Sequence, residues 1–205
     1  MEVKKIRLQD APVSRWNGGT TTQIAIDPPT AVYADHDFDF RVSTATIEQK
    51  ESIFTVLADY DRILAPVRGQ ITLFLPQQST PVVLNELEFY RFDGAWHTKS
   101  RGQATDFNLM TRKGVCTGDA RSVVLSAGQR TTLPPYAPAL ARRSVVLLWC
   151  VEGSVHLTAG NTQMDLTAEE AVQLDSALPL DLPKLQLQES AGTVAKLLCA
   201  TIHFS

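Results

Sequence analysis

With 205 residues the chain is long enough to bury a core without disulfide staples, as one large domain or two small ones. Its 19 Lys and Arg against 22 Asp and Glu leave a net charge of −3, which argues against a nucleic-acid surface, and no block of like charge marks an interaction tail. Lys4, Lys5 and Arg7 have no apolar run behind them, as a signal peptide needs, and no stretch approaches the roughly 18 apolar residues of a membrane span. A soluble, cytoplasmic protein without membrane contact is expected. Cys116, Cys150 and Cys199 are too few and too scattered for a disulfide framework or a zinc site, and Cys150, inside an apolar run, reads as a small core hydrophobe.

Glu2 to Leu8 is a short strand candidate, followed by Pro12. Trp16-Asn-Gly-Gly19 signals a turn, and Thr20 to Ile26 reads as a strand closed by Asp27-Pro-Pro-Thr30. From Phe38 to Glu48 the chain alternates as a β-pleat requires, with Phe38, Phe40 and Val42 on one face. Asp39, Arg41, Ser43 and Ala45 share the other face. A polar face normally turns to water, but Ser43 and Ala45 are short, as if leaving room around the Arg41 guanidinium. In a small barrel such a face lines an interior able to hold one small ligand. Phe54 to Leu57 reads as a further short strand, ahead of a turn at Ala58-Asp-Tyr-Asp61. Thr105 to Met110 repeats the inversion, with Asp106, Asn108 and Met110 on one face and Phe107 and Leu109 on the other. No helical period survives over a long window; Thr167 to Ala171 is read as a single turn of helix.

The pattern strand, glycine turn, strand occurs twice. Val67, Gly69, Ile71 and Leu73 recur 84 positions on as Val151, Gly153, Val155 and Leu157. Leu84, Tyr90, Phe92 and Asp93 then match Leu166, Val172, Leu174 and Asp175 at an offset of 82, a slip that one shorter loop explains. This reads as an internal duplication of a barrel or sandwich built from short strands. The boundary falls near the polar, glycine-rich Lys113–Gly118, giving halves 1–118 and 119–205.

The duplicated unit looks like the cupin jelly roll, and two of them look like a bicupin. More specifically, Trp16-Asn-Gly-Gly19, Phe38-Asp-Phe-Arg-Val-Ser-Thr-Ala45, Asp61-Arg62 and Asp106-Phe-Asn-Leu-Met-Thr-Arg112 resemble the HutD/Ves family. Departures are Thr20 where a third glycine is usual, and Leu57-Ala58-Asp59 where many members carry Phe-Pro-Gly. The resemblance implies an all-β bicupin, two tandem jelly-roll barrels packed as one compact unit. It also implies an association, in some bacteria, with histidine utilisation or stress response, but no settled activity.

Arg41, Ser43, Arg62, Asp106 and Asn108 form the candidate polar constellation. Two readings stay open: an Arg41–Asp106 ion pair tying two strands, or a pocket in which a guanidinium fork takes a ligand carboxylate. Ser43 and Asn108 would then orient that ligand. Trp16, Asn17, Gly18 and Gly19 are either a tight turn with Trp16 as its lid or part of the pocket mouth. Catalytic parts are not identified: there is no nucleophile elbow or phosphate loop, and an arginine beside Asp106 would lower its pKa rather than prepare it as a base. His36, His97, His156 and His203 are single and far apart, so no metal and no other cofactor are expected. The second half, lacking matching polar residues, is expected to support the first barrel or to form a homodimer interface. The leading expectation is a metal-free bicupin that binds a small carboxylate metabolite, with a regulatory role. The alternative is a cupin-type isomerase or hydrolase acting on a small polar substrate.

Overall fold

The alternation read from the sequence resolves into strands almost throughout the computed structural model, which describes residues 1–134, 141–177 and 182–205. They form two units, Ala11–Thr117 and, as the other, Met1–Asp10 with Gly118–Ser205. The chain passes between the units at Thr117–Gly118, and the first ten residues belong with the second unit, not with the first half to which the sequence reading gave them. The reason is pairing: β1 (Glu2–Arg7) needs a ladder partner and runs antiparallel to a strand of that unit, with Ile6 opposite Ala171.

The first unit holds β2 (Val13–Trp16), β3 (Gly19–Asp27), β4 (Phe40–Ile47), β5 (Glu51–Ile53), β6 (Tyr60–Gly69), β7 (Ile71–Phe74), β8 (Val82–Leu84), β9 (Tyr90–Asp93), β10 (Lys99–Arg101) and β11 (Ala104–Arg112). Its larger sheet runs β2-β3-β4-β11-β6-β9 and its smaller β5-β10-β7-β8. Phe54 to Leu57 is not a strand but a loop leaving β5, pinned where the Phe54 and Leu57 amides donate to the Thr98 and Gly94 carbonyls. The second unit holds β12 (Cys116–Leu125), entering it at Gly118, then β13 (Arg130–Leu133), β14 (Arg143–Glu152), β15 (Ser154–Ala159), β16 (Thr162–Thr167), β17 (Glu170–Ser176), β18 (Leu185–Glu189) and β19 (Ala195–Phe204). Its sheets run β1-β17-β14-β19-β12 and β13-β18-β15-β16. The helical turn expected at Thr167–Ala171 is instead the tight turn from β16 into β17. Glu169 is left-handed there, at φ 65°, and the Glu170 carboxylate accepts from the Thr167 amide and hydroxyl.

The duplication extends into backbone detail. Gly69 (φ 84°) and Gly153 (φ 78°) make the same left-handed turn, and a Cβ on either would press on the start of the paired strand, at Gln103–Ala104 and Val194–Ala195 respectively. Leu87 (φ 64°) donates its amide to Pro66, and Glu169 does the same to Cys150. The β6–β11 ladder skips one residue between Pro66 and Arg68, and the β14–β19 ladder skips one between Cys150 and Glu152. Each unit is thus one jelly roll of the same design. Their cores differ. That of the second unit gathers Val146, Leu148, Leu157, Leu187, Leu197 and Cys199 in one cluster, whereas in the first Leu64, Ile71, Leu73 and Phe92 form one cluster and Phe38, Leu57, Tyr60 and Met110 another.

Candidate functional site

The inverted faces of β4 and β11 meet as the alternation predicts. They pair antiparallel, with Met110 opposite Arg41, Asn108 opposite Ser43 and Asp106 opposite Ala45. On its other side β11 pairs with β6, which sets Arg62 opposite Met110. Arg41, Ser43, Arg62, Asp106 and Asn108 therefore line one cavity of about 330 Å³ inside the first unit. Phe40, Val42, Phe107 and Leu109 point to the opposite face and are buried as well.

Both guanidiniums are buried, Arg41 at 4% exposure and Arg62 at 5%, and among the described residues neither has a carboxylate within ion-pair distance. Arg41 donates from Nε to Gln23 Oε1 at 2.9 Å and from Nη1 to Ser43 Oγ at 3.3 Å, with its face 4.2 Å from the Tyr33 ring centre. Arg62 lies 4.9 Å from the Phe54 ring centre and 5.3 Å from that of Phe92. Its Nη1 donates to the Thr55 carbonyl at 3.4 Å, and its Nε is sealed without a partner. Aromatic faces stabilise a cation while leaving its in-plane donors free. Burial pulls both arginine pKa values down, yet a guanidinium stays charged at neutral pH.

The Arg41–Asp106 ion pair considered from the sequence is not formed. In the observed register the two positions lie four residues apart along the sheet, about 13 Å at the usual strand rise. Asp106, 3% exposed, accepts the Ala45 amide at Oδ1 over 3.2 Å. Burial raises its carboxyl to about 7; Arg62 and the Ala45 amide oppose the shift without cancelling it. The conflict posed by a neighbouring arginine is thus decided by desolvation. Asn108 Oδ1 is sealed without a hydrogen bond, so the cavity wall holds unmet donors and acceptors together.

Trp16 lines this cavity and is 39% exposed, its Nε1 donating to Thr21 Oγ1 at 3.2 Å. Asn17 and Gly18 form the two-residue turn between β2 and β3 and line a separate, larger cavity of about 680 Å³, which Trp16 also borders. A Cβ on Gly18 would lie 2.0 Å from the Trp16 ring, so any side chain there would displace that ring. Gly19 lines neither cavity: a Cβ there would stand 1.9 Å from the Thr46 carbonyl, so it serves the close approach of β3 to β4. Among these four residues only Trp16 joins Arg41. Gln23, Tyr33, Phe54 and Thr55 were missed. A bulge in β3 between Gln23 and Ala25 delivers Gln23 to Arg41, a single 3-10 turn (Tyr33–Asp35) delivers Tyr33, and the loop after β5 delivers Phe54 and Thr55, so no periodic signal marks them.

No histidine lines the cavity; His156 pairs with Asp165 and His203 with Ser144. Among the described residues no three His, Cys, Asp or Glu side chains cluster as metal ligands would. The three cysteines are free and buried, and burial pushes Cys116 and Cys150 up to about 12 and Cys199 to about 11, far from a reactive thiolate.

The chain's resemblances agree with this architecture. No curated protein matches it in sequence. A conserved protein of unknown function from Pseudomonas aeruginosa superposes with a TM-score of 0.77 at 19% identity, covering 98% of this chain and 99% of that one. HutD from Pseudomonas fluorescens gives 0.70 at 21% identity, covering 100% and 98%. Lactobacillus farciminis oxalate decarboxylase gives 0.70 at 7% identity over 96% and 85%, which shares the cupin fold alone. The HutD family profile matches residues 8–193. This chain belongs to the HutD family.

Proposed function

We propose that the first unit binds a small carboxylate metabolite, with a regulatory role, and that it does so without a metal. The observation that carries this is the pair of buried guanidiniums, Arg41 and Arg62, facing a shared cavity in which the Asp106 carboxyl, though it acts on Arg62 at a distance, forms an ion pair with neither. Unpaired buried charge is costly, so the site is built to be completed by an anion. A carboxylate accepts in-plane N–H bonds from both, each worth about 1.5–3 kcal/mol, while Asn108 and Ser43 orient the remainder. A cavity of about 330 Å³ lies at the small end for metabolite pockets. Two structural relatives give fold-level support: the L. farciminis oxalate decarboxylase is described as a formate complex, and vicilin from Solanum melongena holds anionic ligands in structurally similar pockets.

Oxalate decarboxylase of Bacillus subtilis has Mn(II) centres. The cavity wall here does not fit such an ion. It offers one carboxyl and no imidazole, and two guanidiniums occupy the space that a cation would share.

Thermal-shift and calorimetric titration with a panel of mono- and dicarboxylates tests the proposal, beginning with urocanate and formylated glutamate in view of the family's association with histidine utilisation. At least one member is expected to bind below 1 mM. No binding tighter than millimolar across the panel overturns the reading. The second reading, an isomerase or hydrolase, draws on the carboxyl of Asp106 standing near neutrality inside the cavity, where it could take or give a proton. Turnover of whichever panel member binds decides between them.

A further inference from the structure

We infer that Asp106 is the proton-carrying member of this anion site: it donates a carboxylic-acid O–H to the ligand's anionic oxygen while Arg41 and Arg62 supply the charge, so that the pocket takes up one proton with each anion. This deepens the carboxylate-binding reading and rests on it.

The geometry around Asp106 leads here. Its side chain sits where the β6–β11 ladder skips a residue, so that Pro66 stands opposite it in β6. Proline has no N–H, and that side of the carboxyl gains no amide donor. On the other side the Ala45 amide meets Oδ1 alone, leaving Oδ2 to the cavity that the side chain lines. Neither arginine closes an ion pair with it. A carboxylate ion buried this deeply would ordinarily hold several donors; this one has a single neutral bond, which suits the protonated acid better.

The charged and titratable groups that share the cavity are few. β4 contributes Arg41, β6 Arg62, β2 Arg15, and the 3-10 turn before β4 Tyr33; besides Asp106, β11 adds neutral Asn108 and Met110. Among the described residues Asp106 is the one carboxyl in that wall. An arriving carboxylate would repel its ionised form at close range in a poorly screened site, and would accept a hydrogen bond from its neutral form. Anion binding therefore shifts Asp106 toward the acid. The raised carboxyl pKa described above means that this shift costs little near pH 7 and progressively more above it.

Formate and succinate are the probes, titrated calorimetrically into the full chain between pH 5.5 and 8.5 in Tris and imidazole buffers of different ionisation enthalpy. For the wild type, affinity should be flat below neutrality and fall about tenfold per pH unit above it, with close to one proton taken up per anion at pH 8. Asp106→Asn, which keeps a neutral donor at all pH values, should hold its affinity within threefold across the range with no proton uptake. Flat wild-type affinity with zero proton uptake overturns the role of Asp106 and leaves the anion site standing. Should neither probe, nor any member of the carboxylate panel above, bind at any pH, both readings fall. The wild-type proton count decides the matter even if the variant does not fold.

Discussion

The two jelly rolls share the order of four strands in each of their two sheets, the ladder bulge, the glycine turn and the left-handed turn residue, yet one encloses a polar cavity and the other a packed apolar core. Equivalent positions show how little was changed. Arg62 corresponds to Val146 at the offset of 84. Asp106 and Asn108, opposite Pro66 and Leu64, correspond to Leu197 and Cys199, opposite Cys150 and Leu148. Against about 330 Å³ in the first unit, a cavity bordered by Val146 and Cys199 in the second is about 10 Å³. The same backbone supports either lumen, because a jelly roll needs burial of its inward face but does not dictate what fills it.

The sharpest way to break the comparison is to move charge into the wrong barrel. Val146→Arg places an unpartnered guanidinium in a filled core and should cost at least 3–5 kcal/mol, about the penalty of stranding a buried charge, as read by denaturant unfolding. A loss below 1 kcal/mol would show that the second lumen can hold an arginine and that the contrast drawn above is false.

The next effect is one of pH. In the folded state the Asp106 carboxyl sits at about 7, against about 3.9 unfolded, so the native state holds the extra proton between these values. Stability should therefore decline as pH rises from about 4 to 7 and level off above, by something on the order of 4 kcal/mol from this group. Asp106→Asn should remove most of that decline, and Asp106→Leu, which copies the second unit, should remove it too. Unfolding curves at pH 5 and 8 check this; unchanged slopes in both variants would contradict a strongly raised carboxyl.

The duplicated turn gives a smaller pair of effects. Gly153→Ala puts a Cβ 2.4 Å from the Val194 carbonyl at positive φ and should cost about 2–4 kcal/mol. Gly69→Ala meets the Gln103 carbonyl at 2.9 Å and should cost about 1–2 kcal/mol. Reversal of that order would mean that the two turns are not equivalent.

Least costly to the fold should be Arg41→Met. With no Asp106 partner to strand, it forfeits the bonds to Gln23 and Ser43 and the contact with Tyr33, about 1 kcal/mol net, while carboxylate affinity falls 10- to 100-fold. A loss of 3 kcal/mol or more, with affinity intact, would make Arg41 a strut rather than a ligand-binding residue.

Much of this was legible in the chain itself. Period-two alternation marked β4 and β11 and put Arg41, Ser43, Asp106 and Asn108 on inward faces, because a pleat sends alternate side chains to opposite sides whatever surrounds it. The repeat of Val67, Gly69, Ile71 and Leu73 exposed the doubled fold, because a left-handed glycine turn between two buried strands leaves the same residue types each time. What the tertiary structure alone decided was partnership. The unbroken register of β4 on β11 kept Arg41 from Asp106, and a bulge at Gln23–Ala25 that no local pattern announces delivered Gln23 in its place. Irregular segments carried Tyr33, Phe54 and Thr55 to the guanidiniums, and the N-terminal strand found its ladder with β17, more than 160 residues away. Alternation is a property of one strand and is written locally; which charge faces which, and which carboxyl is left dry enough to keep its proton, depends on packing between segments far apart in the chain.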